Sequence, residues 1–150
     1  MKKYLLVIFV FVLPFASFTY YVSYVEEKAE VEELVLVSYV NGAFNDLNPD
    51  AMAAGFDPNF AIFSAKGNEL SKYPIADWEA SVRKRKNDPN FDPSKNVWKH
   101  TFSNVNITGN AATIQVDLSK DGKHVYTDYL SLLKFEDGWR IVAKVYYKHP

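Results

Sequence analysis

The sequence predicts an α+β domain in which N-terminal helices pack on a strongly curved antiparallel sheet. Three observations predict this fold class. Helical patterns fill the first part of the chain after its N-terminus, strand-like segments fill the end, and glycine-containing turns separate those segments. Helices followed by a run of strands are typical of α+β domains, and the natural twist of such a sheet lets it wrap around a helix.

The first residues are those of an export segment. Lys2 and Lys3 precede a run from Tyr4 to Val25 that has no charged residue. A charged start followed by an apolar run is typical of a signal peptide, and about 20 uncharged residues also suffice for an uncleaved membrane anchor. In both interpretations the lysines stay inside. We therefore expect a periplasmic, secreted or membrane-anchored protein whose domain lies outside the cytoplasm.

Composition limits the domain count and the kinds of site. We assign residues 1–25 to the signal peptide or anchor, with membrane contact only through residues 4–25, and residues 26–150 to one domain. The absence of cysteine excludes disulfides and thiolate sites. The net charge of −1, which becomes −3 without the two N-terminal lysines, gives no indication of a nucleic-acid partner.

Two helices are predicted next. The first covers residues 26–45, and its acidic start at Glu26 and Glu27 suits the positive end of a helix dipole. Its apolar residues occupy more than one face, so we expect it to lie across a sheet. A short second helix begins after Asn48, which can cap it, and ends near Gly55.

A strand and a third helix follow. Asp57-Pro58-Asn59 predicts a turn, and the short strand after it ends at Gly67-Asn68. The third helix is predicted for residues 74–86, with Trp78 on its apolar face. Its basic end, residues 83–86, fits the negative pole of a helix dipole, so we interpret it as structural.

The remaining chain is predicted to be all strand, at residues 97–107, 111–119, 123–135 and 139–147. Gly109-Asn110, Asp121-Gly122 and Asp137-Gly138 separate these strands, and Asp-Gly between alternating segments is a strong hairpin signal. Three hairpins in a row predict an antiparallel meander.

Side-chain alternation assigns the faces of these strands. In the second, the inward residues are Ala112, Ile114, Val116 and Leu118. In the third, one face carries Tyr126, Asp128, Leu130 and Leu132. In the fourth, the predicted apolar face is Trp139, Ile141, Ala143 and Val145, with Arg140, Lys144 and Tyr146 on the opposite face.

The chain resembles the putative lumazine-binding branch of the nuclear transport factor 2-like superfamily. The strings that carry the resemblance are DYLSLLK (128–134) with DGWRIVAKVY (137–146), YVNGAF (39–44) with NPDAM (48–52) and FDP (56–58), GNEL (67–70), and VNITGNAA (105–112). The order and spacing of these strings across residues 26–147 are specific for the fold more than for a function.

The resemblance implies a cone-shaped fold with a conical pocket between helices and sheet. It also implies a homodimer formed through the outer face of the sheet. The superfamily contains isomerases, dehydratases, small-ligand binders and assembly domains, so the fold does not select a function.

Five residues are candidates for binding a small apolar or aromatic ligand: Tyr39, Trp78, His100, Tyr126 and Asp128. Asp128 shares a strand face with apolar residues, where a carboxylate could act as an acid or base. The alternative is a structural hydrogen bond from Tyr39, Trp78 or a backbone amide. Tyr39 and Trp78 have polar groups that could orient a ligand. His100, between aromatic positions, is the one histidine suited to a pocket.

The favoured hypothesis is an exported small-molecule-binding or assembly domain without catalysis. The alternative is an isomerase or dehydratase in which Asp128 is the acid or base and Tyr39 or Tyr126 donates to an oxyanion. A third is a membrane-tethered structural domain with a filled cavity. We expect no metal and no cofactor, because histidines and carboxylates lack ligand spacing and no phosphate-binding loop is present.

Overall fold

The computed structural model describes residues 24–150. The predicted export segment therefore lies almost wholly outside the described residues. Within them, no helix combines the length and apolar character needed to cross a membrane.

The predicted helices are all present. Helix α1 covers residues 24–45, α2 is Pro49–Gly55, and α3 is Ile75–Lys86. The Asn48 side chain accepts hydrogen bonds from the first backbone N–H groups of α2, which confirms its capping role. A short 3-10 turn, Pro93–Lys95, interrupts the loop after α3.

The second half of α1, Val35–Asn45, is a π-helix. Its hydrogen bonds join residues five apart, so residues at that spacing lie nearly above one another. Tyr39 and Phe44 are such a pair, and their ring centroids are 5.3 Å apart. The π geometry thus directs both rings toward the sheet.

Six strands form one sheet within the described residues: β1 (Phe56–Lys66), β2 (Glu69–Pro74), β3 (Trp98–Thr108), β4 (Ala111–Lys120), β5 (Lys123–Phe135) and β6 (Gly138–Lys148). Their order is β2-β1-β6-β5-β4-β3. The predicted meander from β3 to β6 is confirmed. The pairing of β1 with β6, which the sequence did not predict, is parallel, so the sheet is mixed at that one place.

Local turn chemistry explains the meander. Asp121 and Gly122, between β4 and β5, have φ angles of 52° and 76°. Positive φ at both central residues matches the twist of a two-residue hairpin. Asp-Gly is favoured there because these residues tolerate that conformation.

The predicted turn at Asp57-Pro58-Asn59 is wrong, since β1 begins at Phe56 and runs through it. The turn chemistry is still visible, because Asp57 Oδ1 accepts a hydrogen bond from Asn59 N at 2.8 Å. The register with β6 shifts between Phe56 and Ala61, so the chain accommodates this local turn as an irregularity in the strand. Strand β2, which forms a hairpin with β1, was missed.

The predicted faces of β6 are right at its start and wrong after Val142. Ser131 pairs with Ala143, but the next β5 residue, Leu132, pairs with Ile141, which leaves Val142 as an extra residue. Such a bulge moves every later side chain to the other face. Lys144 is consequently buried, although the alternation placed it outside.

One hydrophobic core lies between the helices and the inner face of the sheet. The predicted inward residues of β4 are all buried, as are Asp128, Leu130 and Leu132 of β5. Tyr39 and Phe44 of α1 and Trp78 of α3 pack into the same core. The candidate site is built around these rings.

Candidate functional site

Asp128 is the centre of a buried polar group beneath α1. It lies in β5 and has 0% solvent exposure. The Tyr39 hydroxyl, from the π-helical part of α1, donates a hydrogen bond to Asp128 Oδ2. The structural alternative considered for Asp128, a hydrogen bond from Tyr39, is thus observed.

Lys144 completes this group from β6. Its ammonium nitrogen lies 2.8 Å from Asp128 Oδ1 and donates to the Tyr39 hydroxyl at 2.6 Å. Oδ1 makes no directed hydrogen bond within residues 24–150, so its contact with Lys144 is that of an ion pair. Asp128, Tyr39 and Lys144 form a closed triangle, which we call the buried triad.

Aromatic rings surround the Lys144 ammonium. The ring centroids lie 5.0–5.8 Å from its nitrogen and belong to Tyr39, Phe44, Trp78, Tyr126 and Tyr146. A cation near aromatic faces is attracted by the negative charge of the π systems, and this attraction grows when water is excluded. We call these five rings the aromatic cage.

The buried triad has perturbed ionisation. Burial lowers the pKa of Lys144, and the Asp128 carboxylate partly offsets that effect. Burial also raises the pKa of Tyr39 well above its usual value, and the Asp128 charge and hydrogen bond raise it further. Both shifts follow from desolvation, which disfavours ammonium and phenolate alike.

A pocket of about 380 Å³ opens above the triad. Its lining comes from α1, α3 and four strands: Phe44, Ile62, Ser64, Tyr73, Trp78, Arg85, Tyr126, Lys144 and Tyr146. Lys144 is the member of the triad that lines the pocket, while Tyr39 and Asp128 lie behind it. A ligand in this pocket would meet aromatic walls and the cations Lys144 and Arg85.

The structure brings four of the five predicted residues together. Tyr39 and Asp128 belong to the buried triad, and Trp78 and Tyr126 line the pocket. His100 lies elsewhere, exposed on the edge strand β3, with its ring 4.7 Å from that of Phe102. The roles of the five predicted residues in ligand binding remain predictions.

Lys144, Phe44 and Arg85 belong to the site but were not among its predicted residues. The signal for Lys144 was present, since the consecutive apolar residues Val142 and Ala143 break the alternation and are compatible with a bulge. Phe44 lies five residues after Tyr39, a spacing that an α-helix of 3.6 residues per turn does not align but the π-helix does. Arg85 was grouped with its basic neighbours.

Comparison with known families gives one match over most of the chain. The model of the family described as putative lumazine-binding matches residues 26–147. This match confirms the resemblance drawn from the sequence strings. No curated protein matches the chain.

Solved structures share the fold. A nuclear transport factor 2-like protein of unknown function from Shewanella baltica is 28% identical, with 85% of this chain and 97% of that chain covered and a TM-score of 0.67. A similar protein of unknown function from Silicibacter pomeroyi is 23% identical, with 83% and 97% covered and a TM-score of 0.63.

A more distant structure has a name that suggests an activity. It is a putative aromatic ring hydroxylase from Novosphingobium aromaticivorans, 15% identical, with 84% of this chain and 92% of that chain covered and a TM-score of 0.56. At that identity the likeness shows the fold alone.

Proposed function

We propose that this protein binds a small planar anion without converting it. The chain belongs to the putative lumazine-binding family of nuclear transport factor 2-like proteins. The observation that carries this proposal is the pocket of about 380 Å³ with aromatic walls and two cations. Ligand pockets of this kind are mostly apolar with a few polar groups that fix orientation.

The walls and charges of the pocket define the class of ligand. Phe44, Trp78 and Tyr126 offer ring faces and edges to a planar molecule. The charge of Lys144 is balanced by Asp128, so the unbalanced cation among the lining residues is Arg85. A guanidinium matches the planar geometry of a carboxylate, and we infer an aromatic carboxylate as the simplest ligand.

The state of Asp128 supports binding over catalysis. A general acid or base must come within hydrogen-bond reach of the reacting proton. Asp128 has 0% exposure, and its two oxygens face Tyr39 and Lys144. The isomerase or dehydratase alternative needs this carboxylate to face the ligand, and the buried triad argues against it.

Nuclear magnetic resonance with 4-methylbenzoate tests the proposal. We expect saturable shifts of the Trp78 indole and of residues around the pocket, and weaker binding of the neutral 4-methylbenzyl alcohol. Arg85→Ala should weaken binding of the anion about twofold to fivefold, since partly solvated charge pairs contribute up to about 1 kcal/mol. Arg83→Ala removes a neighbouring cation outside the pocket lining and should change nothing.

Two results would contradict the proposal. One is the absence of saturable shifts with either compound. The other is equal binding of the neutral and anionic compounds, with no effect of Arg85→Ala.

The outer face of the sheet supports a second part of the proposal, a homodimer. Tyr129 and Val145 are each about half exposed there and border a groove of about 340 Å³. Exposed apolar side chains that lie side by side on a sheet face are candidates for an interface. Analytical ultracentrifugation should find a dimer that Tyr129→Lys dissociates, while Leu70→Lys, at an exposed apolar site on β2, should not.

Export is the third part of the proposal. Lys2 and Lys3 followed by the uncharged run from Tyr4 to Val25 support it. A fusion of residues 1–30 to a reporter that is active only outside the cytoplasm should be active. Replacement of Leu6 and Ile8 by aspartate should abolish that activity, and an active aspartate variant would contradict export through this segment.

A further inference from the structure

Lys144 is a primary amine at the floor of an aromatic pocket. Its side chain is 5% exposed, yet the residue belongs to the lining of the cavity that we propose as the ligand site. A buried lysine is costly unless its charge is paired. An ion pair between Lys144 and Asp128 can be buried without any cavity beside it. Here the Lys144 nitrogen lies between the carboxylate and an open cavity, a position that suits a reaction at this nitrogen.

The groups that face the amine come from every element packed against it. Tyr39 and Phe44 approach from α1, Trp78 from α3, and Asp128 and Tyr126 from β5. Within its own strand, Tyr146 lies 5.1 Å away, measured from the nitrogen to the ring centroid. Asp128 is the anion among these neighbours and lies close enough to take a proton.

The buried environment favours the neutral form of the Lys144 amine. Burial lowers the pKa of Lys144 from its ordinary value. The cause is desolvation, because an ammonium among apolar groups loses the hydration that it has in water. Neutral amines in apolar pockets are the nucleophiles that form Schiff bases with carbonyl compounds.

We propose that Lys144 captures its ligand as a reversible imine with an aldehyde or ketone group, in a molecule that also has an aromatic ring and a carboxylate. The inference rests on the proposed function, since it uses the same pocket and the same Arg85 contact. It adds to the proposed function a carbonyl group on the ligand. A reversible imine that is not converted further is still a form of binding.

The step balances without another reactant. Asp128 takes one proton from the ammonium, and the nitrogen lone pair attacks the carbonyl carbon. The C=O π electrons move to oxygen, which receives the proton released by the nitrogen and becomes a hydroxyl. The C–O bond then breaks as the nitrogen lone pair forms the C=N bond, and the departing hydroxide takes the remaining nitrogen proton and leaves as water. Asp128, which faces this nitrogen, returns its proton to it. Ammonium and aldehyde thus give a protonated imine and water.

Reductive trapping on the full chain tests the inference. The probe is 4-carboxybenzaldehyde with cyanoborohydride at pH 7, where exposed lysines with pKa values near 10.4 are almost entirely protonated. Apart from the α-amino group of the N-terminus, which is partly neutral at pH 7, we expect one adduct, with the mass of the aldehyde less one oxygen, on the peptide that contains Lys144. Excess 4-methylbenzoate should reduce its formation, because both compounds would occupy the same pocket.

Two variants provide matched controls. Lys144→Arg keeps a positive charge and cannot form a stable imine, so the adduct should be lost. Lys148→Arg changes an exposed lysine of the same strand and should keep it. Because peptide mapping locates the adduct in the wild-type chain, the test holds even if Lys144→Arg does not fold.

The outcomes separate this inference from the proposed function. Adducts on surface lysines alone, with normal binding of 4-methylbenzoate, would overturn the imine and leave the binding site in place. A failure of 4-methylbenzoate to bind would contradict the proposed function itself. An adduct at Lys144 whose yield stays the same in excess 4-methylbenzoate would also overturn the inference, since the amine would then react outside the proposed ligand site.

Discussion

The two halves of β6 follow different rules. Up to Ile141 the strand alternates as its sequence predicts, with Trp139 and Ile141 buried. Beyond Val142 the alternation is reversed, so that Lys144 is 4% exposed and Val145 is 51% exposed. One extra residue separates an ordinary core strand from a segment that places a cation in the core and an apolar side chain outside.

This difference shows how the fold builds a polar site within an apolar layer. The bulge turns Lys144 toward Asp128 and the π-helix turns Tyr39 toward the same point. Each device is an irregularity in one regular element, and such irregularities are frequent at functional sites. The buried triad exists because two of them coincide.

The largest expected effect on stability comes from removing the carboxylate that pairs with Lys144. Asp128→Ala should lower the free energy of unfolding by about 3–5 kcal/mol, because it leaves an unpaired buried charge. Urea denaturation measures this loss.

A double variant is the control for this interpretation. Asp128→Leu combined with Lys144→Met replaces both charges by apolar groups and should recover most of the stability. If the double variant lost as much stability as Asp128→Leu and Lys144→Met lose separately when added together, the two residues would not be a coupled pair.

The second prediction compares the two halves of β6 directly. Ile141→Ala should cost about 2–5 kcal/mol, because it leaves a cavity in the core. Val145→Ala, which the simple alternation places on the same face, should change stability by no more than about 0.5 kcal/mol.

Chemical denaturation of both alanine variants gives the comparison. Equal losses at Ile141 and Val145 would mean that the strand alternates throughout and that the bulge at Val142 is absent.

The third prediction concerns the Tyr39 hydroxyl. Tyr39→Phe should cost about 1–3 kcal/mol, since Asp128 loses a buried donor. The raised pKa of Tyr39 also predicts that its hydroxyl ionises only above the ordinary tyrosine range. Its contribution to stability is complete below about pH 10, the ordinary tyrosine pKa, and is lost as the pH rises through the higher value in the folded state.

Tyrosinate absorbance measures this order of ionisation. Tyr39→Phe should remove the component that appears at the highest pH, while Tyr147→Phe, an exposed control, should keep that component. Loss of an early component in the Tyr39 variant would contradict the buried position of its hydroxyl.

The sequence predicted the parts of the fold that depend on repeated patterns. The meander followed from turns such as Asp121-Gly122, and the inward face of β4 followed from strict alternation. Trp78, Tyr126 and Asp128 were predicted to lie near one another because each stands where the pattern is regular, and their roles in binding stay predictions. The resemblance to the family added the expectation of a pocket between helices and sheet.

The remainder depends on contacts between distant residues. A bulge at Val142 is stabilised by pairing with β5, and nothing in the local sequence fixes which residue is extra. His100 fitted the pattern of a pocket residue, yet it lies on an edge strand, and strand order is a property of the whole sheet. Strand β2 has few apolar residues, so its pairing with β1 gave no periodic signal.

The position of the Lys144 side chain is the central claim, and nuclear magnetic resonance of lysine side chains tests it most directly. We predict that the ε-methylene protons of Lys144 are shifted upfield by the aromatic cage and show nuclear Overhauser contacts to the rings of Tyr39 and Tyr126. Lys148, exposed in the same strand, is the internal reference. If Lys144 instead resonated with Lys148 and showed no ring contacts, the bulge, the buried triad and the proposed ligand site would all be contradicted.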